Sequence, residues 1–140
     1  NVSVYSGVEI EDSVFCGPSC VFTNVKNPRS FLPREKKYEV TLVKANSTIG
    51  ANSTIVCGLK LGIYCFIGAG SVVTKQVKPY ALIVGNPANQ IGWVSEYGHR
   101  LNFINKIAIC PESGQEYQLH NENVTRIKWK ILFWLELLDI

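Results

Sequence analysis

The stretch from Val43 to Lys78 reads, in blocks of six, VKANST, IGANST, IVCGLK, LGIYCF, IGAGSV, VTKQVK. Every block opens on an aliphatic residue: Val43, Ile49, Ile55, Leu61, Ile67 and Val73. The fifth position is small or apolar throughout, at Ser47, Ser53, Leu59, Cys65, Ser71 and Val77. Gly50, Gly62 and Gly68 each follow the opening aliphatic residue. A period of six fits neither an α-helix nor an alternating strand. It fits a parallel β-helix, in which each six supplies a short strand and a turn and three sixes complete a triangular coil. Like positions then stack with the aliphatic side chains inward. The spacing predicts Val43 beside Leu61, Ile49 beside Ile67 and Ile55 beside Val73.

Upstream, Val4, Ile10, Cys16 and Phe22 are six apart, with Val8, Val14 and Cys20 at fifth positions. This predicts an earlier coil in the same register, with Gly17-Pro18 at a corner. The register then breaks. Phe22 and Val43 are 21 residues apart, one six plus fifteen extra residues. The stretch Val25 to Leu42 carries Lys26, Arg29, Arg34, Lys36 and Lys37 against only Glu35 and Glu39. A loop thrown out of a regular scaffold is a common seat of function, and its charge suits an anionic ligand. A simply solvated loop is the competing reading. Pro28 and Pro33 restrict its freedom.

The repeat is expected to stop after Lys78, because Pro79 lacks the N–H a ladder needs. The expected division is therefore a β-helix over residues 1–79, with a protruding loop over 25–42, and a C-terminal extension over 80–140. Gly85 and Pro87 in VGNPA mark a turn. Ile91, Val94 and Leu101 suggest a short amphipathic helix over Ala88 to Leu101. Phe103–Ile109 and Glu116–Leu119 read as strands around the CPESG turn at Cys110 to Gly114. Val124 to Ile140 reads as a terminal helix rich in apolar residues.

A chain of 140 residues suits one domain with a small appendage. Its 18% charged content is low, which points to buried interfaces, as expected where a solenoid stacks on partners. A net charge of +3, with no basic stripe interleaved with aromatics, argues against nucleic acid. No stretch is long enough to predict a membrane span, and no signal peptide is visible. The five cysteines fit no zinc pattern and no secreted disulfide framework, and read as free thiols of a reducing cytoplasm. The chain begins inside the repeat without Met, so earlier coils are expected upstream. The Asn-x-Ser/Thr triplets within the repeats read as turns, not glycosylation sites.

Three segments carry more than generic six-residue character: NVSVYSGVEIEDSVFCGPSCVFTNVKNPRS, then STIGANSTIVCG with IGAGSVVTKQV, then YALIVGNPANQIGWVSEYGHRL. Over roughly residues 1–101 the chain resembles the bacterial left-handed β-helix N-acetyltransferases that act on UDP-2-acetamido-3-amino-2,3-dideoxy-D-glucuronate. The resemblance implies the left hand of the coil, against the usual crossover rule, and a homotrimer with acetyl-CoA as co-substrate in grooves between neighbouring helices. It implies a UDP-amino sugar entering from the loop side and a cytoplasmic role in lipopolysaccharide O-antigen synthesis, with no metal. Asn24 matches the family's active-site Asn, with the role of orienting the amine or a water. Arg29 and Glu11 are the further substrate-binding candidates, Arg29 by forked pairing with a carboxylate or pyrophosphate. Backbone groups at Ala51, Asn52, Gly68 and Ala69 are candidates for the thioester oxygen and pantetheine amides. Lys75 and Lys78 are candidates for the CoA phosphates, with Asn86 and Pro87 also on the cofactor side. In relatives GNPA is usually followed by Arg; Asn89 stands there in this chain.

The chemistry is consistent with an amine acceptor. Many O-acetyltransferases of this kind use a His as general base, and a sugar hydroxyl needs one. The only histidines are His99 and His120, both outside the repeats. A neutral sugar amine is already nucleophilic. The alternatives are another acyltransferase of the same fold, for a 4-amino nucleotide sugar or a hydroxyl, and a non-catalytic β-helix.

Overall fold

A computed structural model describes residues 1–34 and 37–127 of the chain. Short strands recur with the period of the sequence. The first coil is β1 (Val8–Ile10), β2 (Phe15–Cys16) and β3 (Val21–Phe22). The second is β4 (Thr41–Val43), β5 (Thr48–Ile49) and β6 (Thr54–Ile55), and the third is β7 (Lys60–Leu61), β8 (Phe66–Ile67) and β9 (Val72–Val73). They stack in parallel into three faces, β1-β4-β7, β2-β5-β8 and β3-β6-β9. The fold is a left-handed parallel β-helix.

The predicted ladders are present: Val43 pairs with Leu61, Ile49 with Ile67 and Ile55 with Val73. Ile10, Cys16 and Phe22 extend the same three columns at the other end. Val43, Ile49, Ile55, Leu61 and Ile67 are all 0% exposed, and each such burial is worth about 1.5–3 kcal/mol relative to exposure. Fifth-position serines also face inward, and the corner carbonyls satisfy them. Ser53 Oγ donates to Gly68 O at 3.0 Å, and Ser71 Oγ donates to the same oxygen at 2.6 Å. Val4 departs from its expected inward place. It is 52% exposed and precedes the first paired strand, while Val2 packs on the core instead.

The fourth residue of each of the first five blocks from Val43 takes the left-handed conformation that lets the chain turn, as at Asn46 (φ 63°) and Asn52 (φ 59°). Asn tolerates this region better than most residues. At the second position the coils nearly touch. A Cβ on Gly17 would lie 2.5 Å from Ala51 N, and one on Gly50 would lie 2.5 Å from Ala69 N. The coil-to-coil spacing at this corner therefore excludes any side chain.

The coil does not stop at Lys78. Between Val73 and Val77 two residues are missing from the period, and Val77 bridges Leu61 in the first-position column rather than taking a fifth position. The Gln76 side chain fills in for the lost ladder, accepting from Lys60 N at 2.6 Å. The period then resumes: Tyr80 is the left-handed corner residue (φ 63°), Ala81 is buried, and Ile83 pairs with Ile67. Pro79 sits within this corner, where its missing N–H costs nothing.

The strand β10 (Ala81–Gly85) thus continues the second face, and β11 (Ala88–Trp93) folds back antiparallel upon it through the Gly85–Ala88 turn. The helix expected over Ala88 to Leu101 is absent. Its first half is β11, because β10 offers an open edge whose backbone groups need partners. Its second half turns back so that Val94 bridges Arg100. A small antiparallel sheet follows: β12 (Ile107–Ile109), β13 (Glu116–His120) and β14 (Asn123–Arg126). The hairpin about Cys110–Gly114 is as predicted, but β14 occupies the start of the expected terminal helix. The rest of that expectation, from residue 128 onward, lies outside the described residues. This sheet has its own small core around Tyr80, Leu101, Cys110 and Tyr117.

Replacing Gly50 by Ala should destabilise the protein by about 1–3 kcal/mol in chemical denaturation, because the corner has no room for a methyl group. Ile67→Ala should cost about 2–5 kcal/mol. An unchanged unfolding midpoint for Gly50→Ala would contradict the stacking geometry.

Candidate functional site

The extra residues after β3 leave the coil at Asn24 and return at Glu39. Two bonds through Asn24 close the base of this loop. Its Nδ2 donates to Ser6 O at 3.0 Å, and its backbone carbonyl accepts from Glu39 N at 3.0 Å. Thr41 N then donates to Gly7 O at 2.8 Å as the chain re-enters the coil. Within the loop, Leu32 N donates to Arg29 O at 3.1 Å, which closes a tight turn between Pro28 and Pro33. The turn reverses the chain within the loop.

The result is an open cavity of about 370 Å³, lined by Tyr5, Asn24, Arg29, Leu32, Arg34 and Tyr38 among others. The structure therefore brings Asn24 and Arg29 to one place. It does not bring Glu11 there. The Glu11 carboxylate accepts from Lys44 Nζ and from Ala45 N, each at 3.0 Å, so it ties the first coil to the second. The Lys44 hydrogen bond, helped by the Ala45 N–H, holds its carboxyl below the usual range. No histidine lines the cavity. His99 Nε2 lies 2.8 Å from Glu112 Oε2, and His120 Nε2 lies 3.1 Å from Asn121 Nδ2.

The cofactor candidates are spread over all three edges of the triangular prism, with Lys78 at the corner between the first and second faces. Ala51, Asn52, Gly68 and Ala69 form a stacked column at the corner between the second and third faces. Asn24 lies at the next corner, between the third face and the first. Lys75, exposed, follows β9 at the corner where Asn24 follows β3. Two coils separate them, roughly 10 Å at ordinary strand spacing. Not every corner N–H is open to a ligand. Gly68 N donates to Ile83 O at 2.8 Å and Asn52 N to Pro18 O at 3.1 Å. Those two candidates are already engaged as donors. Lys78 is likewise engaged, with Nζ donating to Glu122 O at 2.9 Å. Asn86 and Pro87 form the exposed tip of the β10–β11 turn.

Sequence reasoning did not single out two features of this region. Arg34 joins Arg29 in the cavity, five residues further on, because the intervening turn folds back. Glu96 anchors the C-terminal sheet to the coil. Its carboxylate accepts from Tyr80 Oη at 2.8 Å and from Arg126 Nη1 at 3.1 Å, and its own N–H donates to Tyr117 Oη. Tyr64 stacks on Tyr80 at 5.4 Å, continuing the contact. Neither feature had a spacing signal, since both depend on turns outside the repeat.

Cys20 and Cys65 do not supply a nucleophile. Burial pushes the Cys20 and Cys65 thiols up to about 11, and the reactive form is the thiolate.

No family model matches the chain. A curated relative, the dTDP-3-amino-3,6-dideoxy-alpha-D-galactopyranose 3-N-acetyltransferase of Aneurinibacillus thermoaerophilus, is 43% identical over 87 residues, 62% of this chain and 45% of that protein. The maltose O-acetyltransferase of Clostridium difficile 630 superposes with a TM-score of 0.55 at 31% identity, over 63% of this chain and 49% of that one. An N-acyltransferase of Bacillus cereus, solved with dTDP-4-amino-4,6-dideoxyglucose and coenzyme A, superposes with a TM-score of 0.54, over 64% of this chain and 53% of that one; at 21% identity it shares the fold alone. The chain spans less than half the length of the curated relative.

Asn24→Ala should speed amide exchange at Glu39 and Thr41 while leaving the β5–β8 ladder protected; uniform protection throughout would show that Asn24 does not close the loop. The two buried thiols give a pH test. Their folded values, about 11, lie above the ordinary 9.0. Their contribution to stability is thus intact below about pH 9 and is lost as pH rises through 11. Unfolding midpoints measured from pH 8 to 11 should fall, and Cys65→Ala should flatten that fall.

Proposed function

We propose that this protein transfers acetyl from acetyl-CoA to the 3-amino group of a UDP-linked 2-acetamido-3-amino-2,3-dideoxy-glucuronate. The observation that carries the reading is the loop cavity, where Asn24 and Arg29 meet and no histidine stands. Attack by a neutral amine forms an N–C bond to the acetyl carbonyl. Collapse of the tetrahedral intermediate breaks the C–S bond, and the surplus proton on nitrogen ends on the departing CoA sulfur. Such a step needs orientation of the amine and donors for the oxyanion more than it needs a strong base. Asn24 suits the first need: its Nδ2 is held by Ser6, which fixes the carboxamide, and Oδ1 is the atom that accepts from the sugar amine. Arg29 takes the uronate carboxylate or the pyrophosphate.

The 43% identity to a 3-N-acetyltransferase of a nucleotide-linked amino sugar supports the reaction class and the position of the amine. The maltose O-acetyltransferase supports acetyl transfer more broadly. The nucleotide and the uronate rest on the sequence resemblance over roughly residues 1–101, with Arg29 as the residue placed to meet the acidic group. In a single chain the corner column and Asn24 lie on different edges. The proposed assembly is therefore a homotrimer in which the corner column of one copy faces the loop of the next, with acetyl-CoA in the seam. The product would enter lipopolysaccharide O-antigen synthesis in the cytoplasm.

Thiol release from acetyl-CoA, followed with 3-amino and 4-amino UDP-sugars, tests the reading. Turnover should favour the 3-amino sugar, and Asn24→Ala should lower kcat/KM about 100-fold. Turnover of the 4-amino sugar alone, or of a hydroxyl acceptor alone, would overturn it.

A further inference from the structure

We infer that Arg34 is a second oxyanion-binding residue of the loop cavity, acting with Arg29 on a carboxylate or phosphate group of the acceptor; this rests on reading that cavity as the acceptor site. Arg34 Nε is buried and has no hydrogen-bond partner among the described residues. A buried donor left without an acceptor is unfavourable and uncommon in folded proteins. Arg34 itself lines the cavity, so a shift of its side chain would bring that donor to a ligand oxygen.

The surroundings point the same way. The described residues lining the cavity include two arginines and no carboxylate. Two guanidinium groups sharing one cavity repel each other unless an anion lies between them. The loop imposes this arrangement through local geometry. The Arg29–Leu32 turn reverses the chain, and the Arg34 carbonyl is held by Lys37 N, which donates to it at 3.0 Å. Asn24, on the same wall, is bonded to the coil. The forked donors of guanidinium match the paired oxygens of a carboxylate or a phosphate, and a lysine cannot reproduce that geometry. The cavity, about 370 Å³ and open to solvent, has room for a sugar ring with one acidic substituent, with the remainder of a nucleotide sugar extending outward. The two anionic groups of such an acceptor that a forked donor suits are the sugar carboxylate and the pyrophosphate.

Calorimetric titration of the protein with UDP, UDP-glucose and UDP-glucuronate, repeated on Arg34→Gln and Arg34→Lys, separates the two sources. Arg34→Gln should weaken binding about 10-fold or more. A loss confined to UDP-glucuronate assigns Arg34 to the carboxylate; a loss shared with UDP-glucose assigns it to the phosphate. Arg34→Lys should recover only part of the loss, and it stands in as the informative variant if the glutamine protein does not fold. Unchanged affinities for all three ligands in a folded variant would overturn the inference while leaving the proposed reaction standing. Failure of the unmodified protein to bind any of the three would overturn both.

Discussion

Everything in this molecule depends on how closely one coil sits on the next. The inward columns set that distance by burying aliphatic side chains, and the corner at Gly17 and Gly50 permits it only because no Cβ is present. Once the spacing is fixed, every outward group is placed by its position within its six. A residue at the third position of one block lies above the third position of the block three earlier. The scaffold therefore converts sequence spacing into columns of backbone and side-chain groups along three edges.

The chain departs from that regularity by a two-residue loss between Val73 and Val77 and, more extensively, by an insertion after β3. The insertion is held at its base by bonds through Asn24, Glu39 and Thr41, and with Tyr5 it encloses a cavity. A rigid scaffold thus presents a loop whose polar groups converge. The regular edges contribute main-chain donors, but some are already committed within the coil, as at Gly68 and Asn52. Exposed apolar side chains on the outer faces, Phe15 and Val21 among them, are consistent with the proposed packing of copies side by side.

The repeat was legible because inward positions tolerate few residue types. The aliphatic column from Val43 to Val73 named its own partners, and the structure has them. The break between Val73 and Val77 was not legible. The missing two residues left Val77 and Pro79 out of phase, and the sequence Val77 to Ile83 reads as another turn of the coil only after the shift is known. The false helix over Ala88 to Leu101 arose because three apolar residues matched a helical spacing, while the stronger demand, the open edge of β10, is a tertiary one. In the loop, Asn24 and Arg29 were visible as residues of interest, but their meeting was not. Neither was the role of Arg34, which depends on a reversal between two prolines. Glu11 lies outside the loop cavity, with its carboxylate used by Lys44 and Ala45 of the next coil.

The most direct measurement of the central claim is a structure of the assembled protein with CoA and a UDP-amino sugar bound together. The account predicts the pantetheine sulfur in the seam between two copies and the acceptor nitrogen at hydrogen-bond distance from Asn24, with the sugar in the loop cavity. A ligand pair held on one copy alone, or a loop cavity left empty while the sugar binds elsewhere, would contradict it.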